Sequence, residues 1–312
     1  PSVRRVLAVQ LACSQALRVL LLTMRPGSVF GLTTLGLVSR TSMDDRLGDG
    51  PPLWEGEQQF HAFVGYALLT AMAAACAALS LGAVAPYGRY SNEKALGISD
   101  WGPKVPAQLA WCLQELPSLV VPLVCLVRRG WGPASATNGV LLLCFLAHYA
   151  HRALVYPLRI RGGAPTPLYV MASAFTFTFV NGYLQAGALG GPWAAAIPGD
   201  AAFGGGVLLF LAGALGNAHH DALLRSLRLP GETGYKVPVG GLFEYVSGAN
   251  YLCEMIEWAG FALACRTRAA HIFAWCVVFN LAPRAVSHHA WYREKFGDAY
   301  PAQRRALVPF LF

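Results

Sequence analysis

Residues 203–219, FGGGVLLFLAGALGNAH, make an apolar run that closes on an amide and an imidazole, and residues 220–241, HDALLRSLRLPGETGYKVPVGG, carry it on into charge, proline and glycine. The hydrocarbon core of a bilayer asks for about 20 apolar residues per helix. The stretch therefore reads as a membrane span that ends in a polar loop. Working outward, comparable runs occupy 61–85, 107–127, 137–157, 168–189, 248–264 and 270–287. The expectation is an all-α, polytopic integral membrane protein with seven transmembrane helices, the last two short enough to be tilted or partly re-entrant.

Composition agrees. Of 312 residues, 55% are hydrophobic and 13% charged, and the mean hydropathy is +0.44, which leaves too little charge to coat two soluble domains. The net charge of +8 comes from short basic groups between apolar runs, with no basic stripe or arm, so no nucleic acid is expected as a partner. Counting Lys and Arg in the connecting segments puts twelve on the side of the C-terminal tail (Arg89, Lys94, Lys104, Arg159, Arg161, Arg225, Arg228, Lys236, Arg293, Lys295, Arg304, Arg305) against Arg128, Arg129, Arg266 and Arg268 on the other. That imbalance places the C-terminus in the cytosol. The eight cysteines stand singly, without a CxxC pair, and read as small buried hydrophobes rather than disulfides or zinc ligands. Residues 1–55 are a separate N-terminal extension, with five Arg before Asp44 and one apolar run from Val6 to Leu22. A targeting signal, an anchor and a disordered segment all remain open for it. Residues 56–312 form the membrane domain.

The informative residues are polar ones inside apolar runs, because a charge at mid-membrane costs about 2.5–3.5 kcal/mol even on the lenient insertion scale. Four groups qualify. WCLQELPS at 111–118 sets Gln114 and Glu115 between Trp111 and the helix-bending Pro117; a buried carboxyl can become a hydrogen-bond donor, or else cap a half-helix. HYAHR at 148–152, with Tyr156, places Tyr149, Arg152 and Tyr156 along one helical face. A phenol there can polarise a carbonyl, whereas an aromatic belt with a snorkelling arginine is the bland alternative. Asn217, Asp221, Leu224 and Arg228 share a face that runs into the loop bearing Tyr235, Lys236, Gly240 and Gly241, a combination suited to a phosphate-bearing ligand. In the sixth run, Asn250, Glu254 and Glu257 share a face and demand partners, for which Arg284, His288, His289 and Tyr292 of the last run are available. A purely structural ion network is the alternative here.

The pairs His148/His151, His219/His220 and His288/His289 fall short of di-iron histidine boxes, and no metal is expected. There is no GxGxxG, P-loop or GxSxG elbow, so a dinucleotide would be held without a Rossmann domain. A seven-span transporter or receptor fits the same pattern of midplane polar residues. Their clustering in a few spans and the tail favours an enzyme.

At these residues the sequence resembles the steroid 5-alpha-reductases, the 3-oxo-5-alpha-steroid 4-dehydrogenases of the type 1 and type 2 branch with their plant relatives. The resemblance runs from PYGRY at 86–90 to Phe312 through residues 111–118, 148–156 and NGYLQ at 181–185. It is densest from Asn217 to Trp258 and includes GGLFEYVSGANY at 240–251 and the ending YP at 300–301 through ALVPF at 306–310. It implies a monomeric membrane enzyme, of the endoplasmic reticulum in a eukaryotic host, that binds NADPH from the cytosolic side, in a cofactor half of about 200–312, and a lipophilic 3-oxo-Δ4 steroid within the bundle. Hydride would go to C5 and a proton to C4. Glu115 and Tyr149 would hydrogen-bond the 3-keto oxygen and stabilise the enolate, and Trp111 and Phe177 would line the steroid slot. Gln114 would lie beside the nicotinamide, with Arg152, Asn181, Asn217, Asp221, Arg228, Tyr235, Lys236, Asn250, Glu254, Arg284, His288 and Tyr292 at cofactor positions. Three positions depart from the family pattern: Gly163 where a basic residue is common, Lys236 where Arg is common, and Asn280 where an aromatic is expected. Related reductases of enoyl thioesters or polyprenols share the C-terminal motifs, and Gln114 with Glu115 argues for the steroid branch.

Overall fold

A computed structural model describes residues 53–81, 90, 102–160, 163–227 and 234–311. The extension up to Pro52, the end of the first expected span, residues 86–89, Arg161 and Arg228 lie outside the described residues.

The architecture is all-α. The long helices are α1 (Leu53–Ser80), α2 (Ala107–Arg128), α3 (Ala136–Arg159), α4 (Leu168–Gly190), α5 (Ala201–Ser226), α6 (Ala249–Cys265) and α7 (Arg268–Phe296). One two-residue antiparallel pair, β1 (Lys104–Val105) with β2 (Thr166–Pro167), joins the entrances of α2 and α4. Start signals sit where the local chemistry asks for them. Ser135, Asp200 and Thr267 accept from the backbone N–H of Asn138, Phe203 and Ala270 and so cap α3, α5 and α7. Between α6 and α7 the chain reverses over Arg266, whose φ of +52° ends α6 in the left-handed conformation.

Five of these helices, α1, α2, α3, α5 and α7, are long and apolar enough to cross a membrane. The other two expected spans form helices that fall short of that mark for different reasons. Helix α6 has 17 residues, and α4 dilutes its apolar sequence with Thr178, Asn181 and Gln185, all buried against other helices.

The first span begins eight residues earlier than the hydropathy places it, at Leu53 instead of 61. The reason is that its polar residues are neutralised by packing. Glu57 receives both terminal nitrogens of Arg129, at 2.5 and 2.7 Å, together with the Tyr183 hydroxyl at 3.1 Å. One turn on, His61 Nε2 meets the Leu184 carbonyl at 2.8 Å. Arg129 also lies 4.4 Å over the Trp131 ring. This end of the bundle is thus stapled by a buried, forked charge pair, for which the geometry is of the favourable bidentate kind.

Helices α5 and α6 approach most closely. A Cβ on Gly206 would lie 2.5 Å from the Ala264 nitrogen, and one on Gly213 would collide with the backbone of Glu257. Small residues spaced along one stripe let two helix backbones touch, which is how helices associate where lipid removes the hydrophobic drive. The glycines at 206 and 213 that make 203–219 look merely apolar therefore bring Asn217 and Asp221 onto α6. The main core wraps around Phe145, Trp258, Phe261 and Phe273, with Tyr149 at its edge.

Candidate functional site

Helix α3 departs from regular winding just where its polar residues sit. Residues His151–Val155 take a π-helical turn, a local widening that inserts one extra residue and re-aims the side chains beyond it. Tyr149 stays in the regular part, buried, and its hydroxyl accepts from Asn181 Nδ2 at 3.2 Å. Asn181 is itself oriented by Gln185 Nε2, at 3.1 Å from its Oδ1, and Gln185 also bonds the Ala269 carbonyl. Ser118 of α2 is the other hydroxyl at the phenol. Two buried amides thus hold the phenol at a fixed place between α2, α3 and α4, and Asn181 uses an N–H on it, leaving the phenolic proton to donate elsewhere.

Arg152, just inside the wide turn, is the hub of the second group. Its Nη1 bonds Asp221 Oδ2 at 3.2 Å and its Nη2 lies 3.9 Å from Glu254 Oε2. Asp221 takes a second bond from Asn250 Nδ2 at 3.0 Å. Asn217 Nδ2 reaches the Asn250 carbonyl at 3.0 Å and Glu254 at 3.4 Å. So the face expected on α5 and the face expected on α6 do meet, and Arg152 of α3 closes them. The guanidinium lies 4.9 Å over each of the Trp111 and Tyr156 rings, and Arg225 approaches Tyr156 from beyond at 5.3 Å. Glu115 is near enough for its charge to act on both Tyr149 and Arg152, yet it takes no hydrogen bond from any described residue.

The donor set can be tested against a dinucleotide. Trp111 Nε1 and Arg225 Nη1 are buried N–H groups with no hydrogen-bond partner among the described residues, an arrangement that costs free energy until something accepts from them. Beside them stand carboxylates able to accept from hydroxyls or a carboxamide, and guanidinium groups able to face phosphates. The residues fit such a group.

Other expected site residues lie around this centre. The Gln114 carbonyl receives the Thr178 hydroxyl at 2.5 Å, locking α2 to α4 beside Trp111. Phe177 packs on Phe273 at 6.2 Å. His288 stacks on Tyr90 at 5.7 Å and meets Tyr251 in a tilted contact at 5.4 Å. Tyr235 lies edge-on to Trp291 at 5.0 Å with Lys295 above, and Tyr292 stacks on Tyr300 of the tail at 5.4 Å. Arg284 is on α7, and Lys236 is exposed. Asn280 is half-buried on α7. Gly163 has φ +118°, a conformation that strains any other residue.

One expectation is corrected. The carboxyls of α6 do not draw their partners from the end of α7: Glu254 pairs with α3 and α5, and the wholly buried Glu257 bonds His148 Nδ1 at 2.6 Å. Sequence reading missed this pair because a histidine next to the candidate phenol looked like part of a metal box or a belt. The available signal was a second acidic residue in an apolar helix, which required a cation or a proton from some neighbouring span. His289, offered as another partner, instead bonds Ser247 Oγ at 2.6 Å, and the same hydroxyl meets Tyr300 at 2.6 Å, tying α7 to the C-terminal tail.

With this geometry in view, comparison with known proteins is informative. Residues 164–312 match the family described as 3-oxo-5-alpha-steroid 4-dehydrogenase. The chain is 48% identical over 236 residues to 3-oxo-5-alpha-steroid 4-dehydrogenase 1 of Bos taurus, covering 72% of this chain and 87% of that protein. It is 46% identical over 213 residues to the Homo sapiens protein of the same name, with 67% and 82% covered. Against 3-oxo-5-alpha-steroid 4-dehydrogenase 2 of Sus scrofa it is 43% identical over 262 residues, with 82% and 98% covered.

Proposed function

Because the chain belongs to the steroid 5-alpha-reductase (3-oxo-5-alpha-steroid 4-dehydrogenase) family, in its type 1/type 2 branch, and is an oxidoreductase of that family, we propose that it reduces the C4–C5 double bond of a lipophilic 3-oxo-Δ4 steroid with NADPH. The observation that carries this reading is the buried Tyr149 hydroxyl, held by Asn181, on the same helix as Arg152, which closes the cluster of Asp221, Asn250 and Glu254.

The residues then divide the work. Tyr149, oriented by Asn181, donates its phenolic proton in a hydrogen bond to the 3-keto oxygen, and Glu115 makes the second hydrogen bond to the same oxygen. Both bonds strengthen as negative charge moves onto that oxygen, so they stabilise the enolate more than the ground-state ketone. NADPH, when bound, supplies the hydride that C5 receives. Trp111 and Phe177 line the slot for the flat steroid. Asn217, Asp221, Asn250, Glu254 and Arg152, with Gln114, Asn181, Arg228, Tyr235, Lys236, Arg284, His288 and Tyr292, hold the cofactor. In this reading all seven helices cross the membrane of the endoplasmic reticulum, α4 and α6 included, because their polar side chains face other helices. The protein acts as a monomer, the C-terminus is cytosolic, and residues 1–55 are an extension to the catalytic domain.

The test is turnover by detergent-purified protein, anaerobic and with chelator present, following NADPH absorbance and product mass. A gain of two hydrogens on a 3-oxo-Δ4 steroid is the expected result. Reduction of enoyl thioesters or polyprenols instead, with steroids untouched, overturns the substrate assignment; no NADPH consumption overturns the cofactor.

A further inference from the structure

Outside the cluster just described, one buried side chain of α5 connects to the loop that follows it. His220 is buried, and both of its ring nitrogens are engaged by backbone. Nδ1 lies 2.7 Å from the Gly216 carbonyl, one turn earlier on α5. Nε2 lies 2.9 Å from the backbone nitrogen of Leu242, which donates to it. A carbonyl can only accept and a backbone N–H can only donate, so the ring must carry its proton on Nδ1 and none on Nε2. An imidazolium would set a second N–H against that of Leu242.

The turn on the far side of this bond is shaped to receive it. Gly241 has φ +56°, and a Cβ there would sit 2.7 Å from His220 Nε2, so glycine is required both by the backbone conformation and by the ring. Phe243, fully buried, packs edge-on to the imidazole at 5.3 Å. Leu223 and Leu224 of α5 close the contact around Leu242 and Phe243. From the other side the tail holds the same segment: Arg304 Nη1 bonds the Pro238 carbonyl at 2.8 Å, and Arg305 and Ala306 exchange backbone hydrogen bonds with Tyr245, Ser247 and Gly248. The tail fixes the chain before and after the turn, whereas, among the described residues, His220 is the side chain that bonds the turn's own backbone to α5. It does so one residue from Asp221.

We propose that His220, in its Nδ1–H form, is a positioning residue that docks the Gly240–Glu244 turn onto α5 and thereby fixes the end of the loop that carries Tyr235 and Lys236, the residues read above as cofactor contacts. The proposal rests on the NADPH reading for its functional consequence, but its structural half stands on the turn alone. A side chain that only filled space would be replaced well by leucine. One that acts through the acceptor at Nε2 is replaced by glutamine, whose amide oxygen reaches a similar point, and not by leucine.

The experiment compares wild type, His220→Gln and His220→Leu as full-length, detergent-purified proteins. Histidine side-chain 15N spectra, with the His220 signal identified by its loss in His220→Gln, read the tautomer. Hydrogen exchange of the peptide spanning the turn reads its docking without cofactor. Tryptophan fluorescence gives the Kd for NADPH, and turnover gives kcat at saturating cofactor. The expected pattern is a proton on Nδ1, turn exchange and NADPH Kd each raised about tenfold in His220→Leu as one backbone hydrogen bond is lost, kcat within about threefold, and His220→Gln close to wild type. A proton on Nε2, or His220→Leu with wild-type exchange and wild-type Kd, overturns the proposal. Should His220→Leu fail to fold, the tautomer and the His220→Gln measurements decide it: a Gln variant with leucine-like loss of affinity counts against it. If wild type does not bind NADPH, the cofactor reading fails, and the tautomer and exchange data still decide whether His220 docks the turn.

Discussion

Tyr149 and Glu115 come from different helices and share no hydrogen bond, which is the arrangement a pair needs if both are to act on a third atom. The phenol is fixed by a relay of amides, Gln185 to Asn181 to Tyr149, so its place does not depend on the substrate. Tyr149→Phe removes the proton donor and keeps the ring, and Glu115→Gln keeps the shape and removes the acid. Each is expected to lower kcat by about 10²–10⁴ while the Kd for NADPH stays within about threefold, measured by turnover and by fluorescence titration. Normal turnover in either variant removes that residue from the chemistry. At this scale the sequence was readable wherever a polar side chain interrupts an apolar run, since burial of a polar group needs a reason. Which partner supplies the reason was not readable: Glu257 finds His148 one hundred and nine residues away, and helical spacing says nothing about which two helices touch.

The elements owe their places to two devices of different legibility. The glycine stripe of α5 can be seen in 203–219 once a close neighbour is assumed, but composition alone counts those glycines as neutral filler between leucines. The staple at the opposite end of the bundle was hidden, because Glu57 and His61 depress the hydropathy of a stretch that is nevertheless helical and buried on one side. Its energetics are testable by double substitution. Arg129→Leu leaves the Glu57 carboxylate buried without its cation and is expected to cost about 3–5 kcal/mol, read as a lower thermal midpoint in detergent. Glu57→Leu with Arg129→Leu removes both charges and is expected to recover most of that loss; a double variant as unstable as the single one contradicts the account of the pair. A smaller effect belongs to the entrance of α5. Arg266 bonds Asp200 at 2.7 Å and, together with the cap to Phe203, holds its carboxyl below the usual carboxylate range. A depressed folded-state pKa stabilises above the unfolded value of about 4 and is lost as pH falls through the folded value. Asp200→Asn should therefore lower the thermal midpoint slightly at neutral pH, with the difference closing in acid; an equal difference at all pH values contradicts a charge-based role.

For the whole molecule, the arrangement puts the Glu57–Arg129 staple and the Arg152 cluster at opposite poles of one bundle. The pole with Glu57, Arg129 and Tyr183 fixes α1, α2 and α4 relative to one another. The pole with Arg152, Asp221 and Glu254 gathers α3, α5 and α6, and the C-terminal tail folds back on the loop between α5 and α6. Fold class and the grouping of polar residues followed from hydropathy and helical spacing. The family followed from motifs such as 240–251, not from spacing. In the function proposed above, hydrogen bonds from Glu115 and Tyr149 would draw electrons toward the 3-keto oxygen, and the solvent-derived proton would then arrive at C4 of the steroid. Reduction of a 3-oxo-Δ4 steroid in D2O with unlabelled NADPH, with the product position read by NMR, tests this most directly. One deuterium at C4 and none at C5 is the predicted outcome; deuterium at C5 would mean that the double bond is not polarised through the ketone and that these two residues have been given the wrong task.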